Sequence, residues 1–275
     1  MNPDLTEDFL LRIAKDIEVS ASSEALSGGG SAVEGDYGGS PGVGVGAGAG
    51  VDRAVVVSRE RGKRLLRYLK QSENCSDFFK SRLCAQLRVI SFVPVSRPVE
   101  VTLGGFVVYS AALGTFDEVI SVSGGALGFT VMPVLDEDIA PPLIFFSSLA
   151  VATSPSIEVV LRHIRNLTVH CGDSLDRWNY PHSSVQETFA GIFEFLKDHW
   201  KGIVPSVQRA LRESQIVPVG HFLVRPSRLF FRLQGEDLSP FMHEVPRCFG
   251  AQEGFLKELG VKEEPLAGDY VEVGS

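Results

Sequence analysis

The apolar positions of this chain fall into helical stripes separated by short β-branched runs, and the alternation of the two predicts its elements. Phe9, Leu10, Ile13 and Ile17 recur at helical spacing over Leu5–Ile17, with Thr6 as cap. From Ser58 to Leu69, Leu65, Leu66 and Leu69 share one face, and Arg59, Arg61, Lys63, Arg64 and Arg67 surround it as a solvated face, with an anionic partner site as the alternative. A second helix is predicted over Phe78–Leu87, while Phe116–Val134 reads as further strand or a broken loop. Pro155–Leu167 carries Ile157, Val160, Leu161 and Ile164 on one stripe, with Ser154 as cap and Pro155 at the first helical position. Ser184-Val-Gln-Glu187 reads as a capping box ahead of Phe189, Ile192, Phe193, Leu196 and Trp200, an aromatic stripe that belongs in a core. Pro205 opens a helix through Val207, Ala210 and Leu211, and Gly260 is placed to end a short helix as a left-handed cap.

The most locally determined stretch is Gln215–Phe231. Ile216, Val217 and Val219 form one strand, Gly220-His221 the turn, and Phe222-Leu-Val224 the return strand, which Pro226 stops. Pro218 lacks an N–H, so its strand belongs at an edge, and Val217 and Leu223 are expected on the buried face. A faded copy lies upstream, in Phe92-Val-Pro-Val95 followed by Phe106-Val-Val108. Phe92–Val95 matches Ile216–Val219 at an offset of 124 residues (216 − 92), and Leu149–Val151 and Pro155 match Leu259–Val261 and Pro265 at 110 (259 − 149). Leu65–Lys70 precedes the first copy as Ile192–Lys197 precedes the second.

Internal similarity at this spacing predicts small domains rather than solenoid turns. The expected fold is α+β, in two tandem helix–helix–hairpin–helix units with small antiparallel sheets. Residues 1–27 open the first unit, 28–50 are a Gly-rich flexible insertion, 51–152 complete the unit, 153–262 form the second, and 263–275 begin an incomplete third. The chain is therefore expected to be a fragment of something longer.

Composition narrows the partners. With 275 residues, 44% of them hydrophobic and 22% charged, the chain can bury a core. A net charge of −8 argues against a phosphate-backbone binder, so nucleic acid is not an expected partner. Met1–Asp8 has no basic, apolar leader and no stretch is apolar enough to span a bilayer, which predicts no membrane partner and a cytoplasmic location. Cys75, Cys84, Cys171 and Cys248 form no C-x-x-C pair and read as free, mostly buried thiols.

Candidate chemistry is sparse. Gly38-Gly-Ser-Pro-Gly42 matches G-x-S-x-G, but no strand leads in and Pro41 stands where a helix would start. The alternating glycines from Gly42 to Gly50 never complete G-x-G-x-x-G, because Ala47 and Ala49 hold the third position, and Gly62-Lys63 is followed by Arg64 rather than Ser or Thr. His163, His170, His182, His199, His221 and His243 have no metal-ligand spacing. Asp136-Glu-Asp138 and Glu263-Glu264 read as loop charge rather than tuned acid–base pairs. Asn74-Cys-Ser76 and Asn166-Leu-Thr168 are sequons expected to be unused. No catalytic, cofactor or metal residue is therefore assigned.

One order of motifs does point to a family. Phe189–Lys197, then Ile216–Ser227, then Leu238-Ser-Pro-Phe241, then Phe255–Val261 resembles the repeat regions of sacsin-like proteins, and Arg61–Leu69 with Phe92–Val95 looks like the same pattern one unit earlier. The resemblance covers most of the chain outside the Gly-rich insertion. It implies a piece of a large intracellular chaperone or co-chaperone, with chaperone machinery or client proteins as partners. Such proteins carry a heat-shock-type ATPase module ahead of each repeat set; this chain has no D-x-G-x-G, Asp36-Tyr-Gly38-Gly-Ser40 missing it narrowly, so no ATP site carries over. The expected function is a non-catalytic scaffold or client-binding segment, with self-association through unit ends also expected. A plain interaction module without chaperone activity and, third, a small hydrolase are the alternatives.

Composition also makes a prediction. Replacing Gly28–Gly50 by a short Gly/Ser linker should leave the thermal unfolding midpoint almost unchanged; a loss of about five degrees or more would mean that the tract packs.

Overall fold

The computed structural model describes residues 7–27, 49–71, 82–95, 102–103, 106–107, 113–136, 139, 151–171, 182–220, 222–233 and 241–273. The fold is α+β, with helices packed around two-stranded ladders. The chain divides into two compact units: 1–98, 109–125 and 132–154 make the first, and 99–108, 126–131 and 155–275 the second.

In the first unit, helix α1 (Glu7–Ser27) packs on α2 (Ala49–Gln71), which in turn packs on strand β1 (Val93–Pro94), while α3 (Arg82–Leu87) packs on α1. Leu10, Ala14 and Ile17 of α1 and Leu65, Leu66 and Leu69 of α2 are buried with Leu83 and Leu87. Phe92 and Phe116 meet edge to face at 5.4 Å in this core. Gly62 sits where α2 crosses β1, and a Cβ there would collide with the Phe92 carbonyl oxygen.

The partner of β1 differs from the expected one. β1 pairs antiparallel with β4 (Leu113–Gly114), whereas β3 (Phe106–Val107) pairs with β2 (Thr102–Leu103) in the second unit. Phe106–Val108 and Leu113 are all apolar, and alternation alone does not say which run closes the ladder. Beyond β4, Phe116–Val134 forms turns and the short helix α4 (Val122–Gly125) rather than a regular strand.

The second unit runs through α5 (Ile157–Cys171), α6 (His182–His199), a 3₁₀ turn over Trp200–Gly202 and α7 (Pro205–Glu213). Strands β5 (Val217–Val219) and β6 (Phe222–Val224), a 3₁₀ turn over Pro226–Arg228, β7 (Leu229–Phe230) and β8 (His243–Glu244) follow. A 3₁₀ turn over Arg247–Gln252, α8 (Glu253–Leu259) and α9 (Ala267–Val273) complete it. The aromatic stripe of α6 is core: Phe193 lies 5.4 Å from Phe249, 6.0 Å from Phe189 and 6.2 Å from Phe255, and Trp200 stands edge-on to Phe255 at 5.1 Å.

Helix starts depart from the capping signals. α6 begins at His182, which places Ser184 inside its first turn rather than at a cap. Ahead of α5 the Val159 N–H donates to Ser156 Oγ at 3.4 Å, so Ser156 and not Ser154 caps, and Pro155 is buried before the first turn. α2 starts at Ala49, so Ala49 and Gly50 are helical and a linker replacement should end at Gly48; 28–48 lie outside the described residues. At the other ends the signals hold: Pro205 opens α7, and Gly260 closes α8 with φ 107°.

The second hairpin has the expected pairing, Val217 with Val224, Pro218 with Leu223 and Val219 with Phe222, around Gly220 at φ 55°. Instead of one buried face it has two, because Val217, Pro218, Leu223 and Val224 are all buried. β7 and β8 run parallel, an addition to the antiparallel ladders.

Backbone bonding recurs between the units. The Ile120 carbonyl accepts from Leu135 N–H at 2.8 Å, and Phe230 from Val245 at 3.0 Å; Ser121 N–H donates to Ala152 at 2.9 Å, and Phe231 to Lys262 at 3.0 Å. Each pair of bonds is displaced by 110 residues (230 − 120), the displacement that also relates Gly114 in the first hairpin to Val224 in the second.

These contacts set expected stabilities. Gly62→Ala should destabilise by roughly 1–3 kcal/mol despite alanine's better helix propensity, since the obstacle is backbone. Leu223→Ala should cost roughly 2–5 kcal/mol and the exposed Arg209→Ala about nothing. Urea unfolding of the three variants checks the order; a neutral Gly62→Ala would mean that α2 and β1 are not in close contact.

Candidate functional site

Helical spacing builds a groove on the first unit. Leu10, Ile13 and Ile17 of α1 and Leu65 and Tyr68 of α2 bound a space of about 370 Å³, with Asp16, Arg61 and Arg64 also lining it. Leu10, Ile17 and Leu65 are buried, Ile13 and Tyr68 half-buried, and the three charged residues exposed. The arrangement is an apolar channel with a charged, mainly cationic rim. Phe9, one helical turn before Ile13, and Val57, one turn before Arg61, leave exposed apolar surface on the same two stripes.

Beside it the charge run of α2 is divided by the tertiary structure. Arg61, Arg64 and Arg67 are exposed as expected, but Arg59 and Lys63 turn inward. Arg59 Nη2 and Lys63 Nζ lie 2.5 and 3.1 Å from Oδ2 of Asp136, whose side chain is 8% exposed and whose N–H donates to the Pro94 carbonyl. Asp136 is thus a buried ion-pair partner rather than loop charge. Glu137 and Asp138, the rest of that acidic run, lie outside the described residues.

A second polar cluster, not assigned by sequence, lies in the second unit. His163 interrupts the apolar stripe of α5 and is fully buried, with Thr130 Oγ1 2.6 Å from its Nδ1. Asn166 Nδ2, one turn along α5, donates to the Thr130 carbonyl at 3.1 Å and to Oγ1 at 3.3 Å. The hydroxyl accepts from Asn166 and also pairs with Nδ1, so Thr130 is held by two side chains of α5. Burial pushes His163 down to about 4, against a weaker upward pull from the Ala126 backbone, and Nε2 forms no hydrogen bond of normal geometry. Phe129 packs edge-on at 4.6 Å.

Threonine, histidine and asparagine in this order invite comparison with a nucleophile, base and orienting group. Thr130 is 7% exposed and His163 0%, so a substrate has no approach, and a base this weakly basic is a poor proton acceptor. The cluster holds Thr130 against α5. The Asn166 sequon is accordingly engaged in packing.

Other sequence candidates do not converge. His199 Nδ1 pairs with the Phe195 carbonyl, and His243 lies in β8; the side chains of His170, His182 and His221 lie outside the described residues. Glu263 and Glu264 face different cations: Lys257 holds Glu263 below the usual carboxylate range, and Arg232 lies 3.6 Å from Glu264. Cys84 is buried and Cys248 exposed, both free and both with thiol pKa raised by burial. Among the described residues no group of three His, Cys, Asp or Glu could hold a metal ion, and no helix is long and apolar enough to cross a membrane. No family model, curated protein or solved structure matches the chain.

His163 generates a pH prediction. Its folded pKa lies below the ordinary 6.5, so the unfolded chain binds the extra proton and its contribution to stability, complete above pH 6.5, is lost as pH falls toward 4, by at most about 3 kcal/mol. In His163→Leu the stability measured by urea between pH 7 and 5 should fall less steeply than in the parent. Parallel slopes would show that His163 is already solvated.

Proposed function

We propose that this chain is a non-catalytic scaffold that binds client proteins, a segment of a sacsin-like chaperone or co-chaperone. The observation that carries the reading is the channel between α1 and α2, with an apolar floor of Leu10, Ile17 and Leu65 and a rim bearing Arg61 and Arg64. A channel of about 370 Å³ admits two or three apolar side chains, the number an amphipathic segment presents on one face. The occupant is an apolar stretch of an incompletely folded protein with acidic residues beside it, since two guanidiniums against one carboxylate favour negative charge. The sacsin-like part of the reading rests on the order of the motifs; the 110-residue recurrence of backbone bonds supports treating the units as copies of one module. His163, a group strongly displaced in pKa, is sealed, which favours a scaffold over a hydrolase.

The test is light scattering from a heat-aggregating reporter protein without nucleotide. The parent chain should slow aggregation at equimolar and several-fold excess, and Ile13→Glu, which places a carboxylate in the half-buried wall of the channel, should abolish the effect while unfolding at nearly the same temperature. If the parent stays folded and monodisperse yet gives no protection, the chaperone reading fails and a plain interaction module takes its place.

A further inference from the structure

A proline decides which way the backbone of the second hairpin faces. Pro218 lies opposite Leu223 and has no N–H, so this pair cannot be one that exchanges hydrogen bonds. The bonded pairs are therefore Val217 with Val224 and Val219 with Phe222, the latter closing the turn at Gly220. Alternation then turns the N–H and C=O of Leu223, and the N–H of Arg225, to the outer side of β6. Among the described residues the ladder has two strands and the outward groups of Leu223 make no hydrogen bond. Leu223 lines the groove beside this edge, and a partner strand laid there would satisfy its unbonded groups.

The space next to this edge has the chemistry of a peptide site. A groove of about 360 Å³ is lined by Phe222, Leu223, Val224, Arg225, Arg228 and His243, with Gln215 at its border. Phe222 is 48% exposed, a large apolar anchor in the open. Arg225 and Arg228 are exposed, and among the described residues neither is ion-paired and no carboxylate lines this groove. Glu213 borders only the adjoining space shared with Gln215 and Arg225. A short edge flanked by cations repels basic strands and a second copy of itself, and it accepts a strand that brings negative charge.

We propose that the outer edge of β6 is an acceptor for an extended acidic peptide, which adds as a third strand. Its backbone bonds to Leu223 N–H and C=O and to Arg225 N–H, an apolar side chain packs on Phe222, and a carboxylate pairs with Arg225 and Arg228. The site stands on a different unit and a different contact from the α1–α2 channel: backbone pairing rather than capture of an apolar face.

Fluorescence anisotropy with the full chain and a labelled Thr-Val-Glu-Val-Glu-Thr probe tests it. The probe should bind saturably, and N-methylation of alternate backbone amides should weaken binding by at least about tenfold, the effect of one or two lost hydrogen bonds. The Arg225→Glu, Arg228→Glu double variant, changed only at exposed positions, should lose the probe and gain a Thr-Val-Lys-Val-Lys-Thr counterpart. Equal binding of the N-methylated probe would overturn strand addition, and binding indifferent to the double variant would overturn the assignment to this edge, as would no binding at all. The Ile13→Glu protein should keep the probe, and the double variant should keep aggregation suppression, so failure here and failure of the client-binding reading are distinguishable.

Discussion

Each unit is tied together at one buried residue whose neighbouring peptide groups bond to two remote segments. At Ile120 the carbonyl takes the Leu135 N–H while the next amide reaches Ala152; at Phe230 the carbonyl takes Val245 and the next amide reaches Lys262. Strands of two or three residues cannot hold a sheet by length, so these single bridges carry what a ladder would elsewhere. Helical packing supplies the rest. Leu65, Leu66 and Leu69 in one unit and Ile192, Phe193 and Leu196 in the other bring a helix face against the hairpin.

That constraint explains where exposed binding chemistry is left. A ladder that stops at two strands leaves an edge, and the proline that restricts β5 to pairing on alternate residues also sets the direction in which β6 presents its free groups. Helices that bury only part of their stripes leave channels. Ile13 and Tyr68 are half-buried because the apolar stripe of each helix is wider than the contact between them. Both features are by-products of economical cores.

The polar clusters inside the units act differently. Arg59, Lys63 and Asp136 join a helix to the segment after Val134, and Thr130, His163 and Asn166 join a turn to α5. A buried pair of this kind adds little net stability over apolar packing, but mispairing leaves charge unpaired, so the clusters select the alignment of the segments they join.

Local signals in the sequence determined the helices over Leu65–Leu69, Ile157–Leu167 and Phe189–His199, the hairpin around Gly220 and the left-handed end at Gly260. These depend on side-chain period, on glycine's tolerance of positive φ and on proline's missing donor, which neighbours along the chain settle. The channel was only half legible, because Phe9, Ile13, Arg61 and Arg64 were visible as positions on stripes while their distance across two helices was not. Asp136 and His163 could not be assigned from pattern at all: a carboxylate in an acidic run and a histidine on an apolar stripe acquire their roles from Arg59, Lys63 and Thr130, which lie far away in sequence. The choice of Leu113 over Phe106 as the partner of β1 is of the same kind, since several apolar runs satisfy the alternation and only packing of the whole unit distinguishes them.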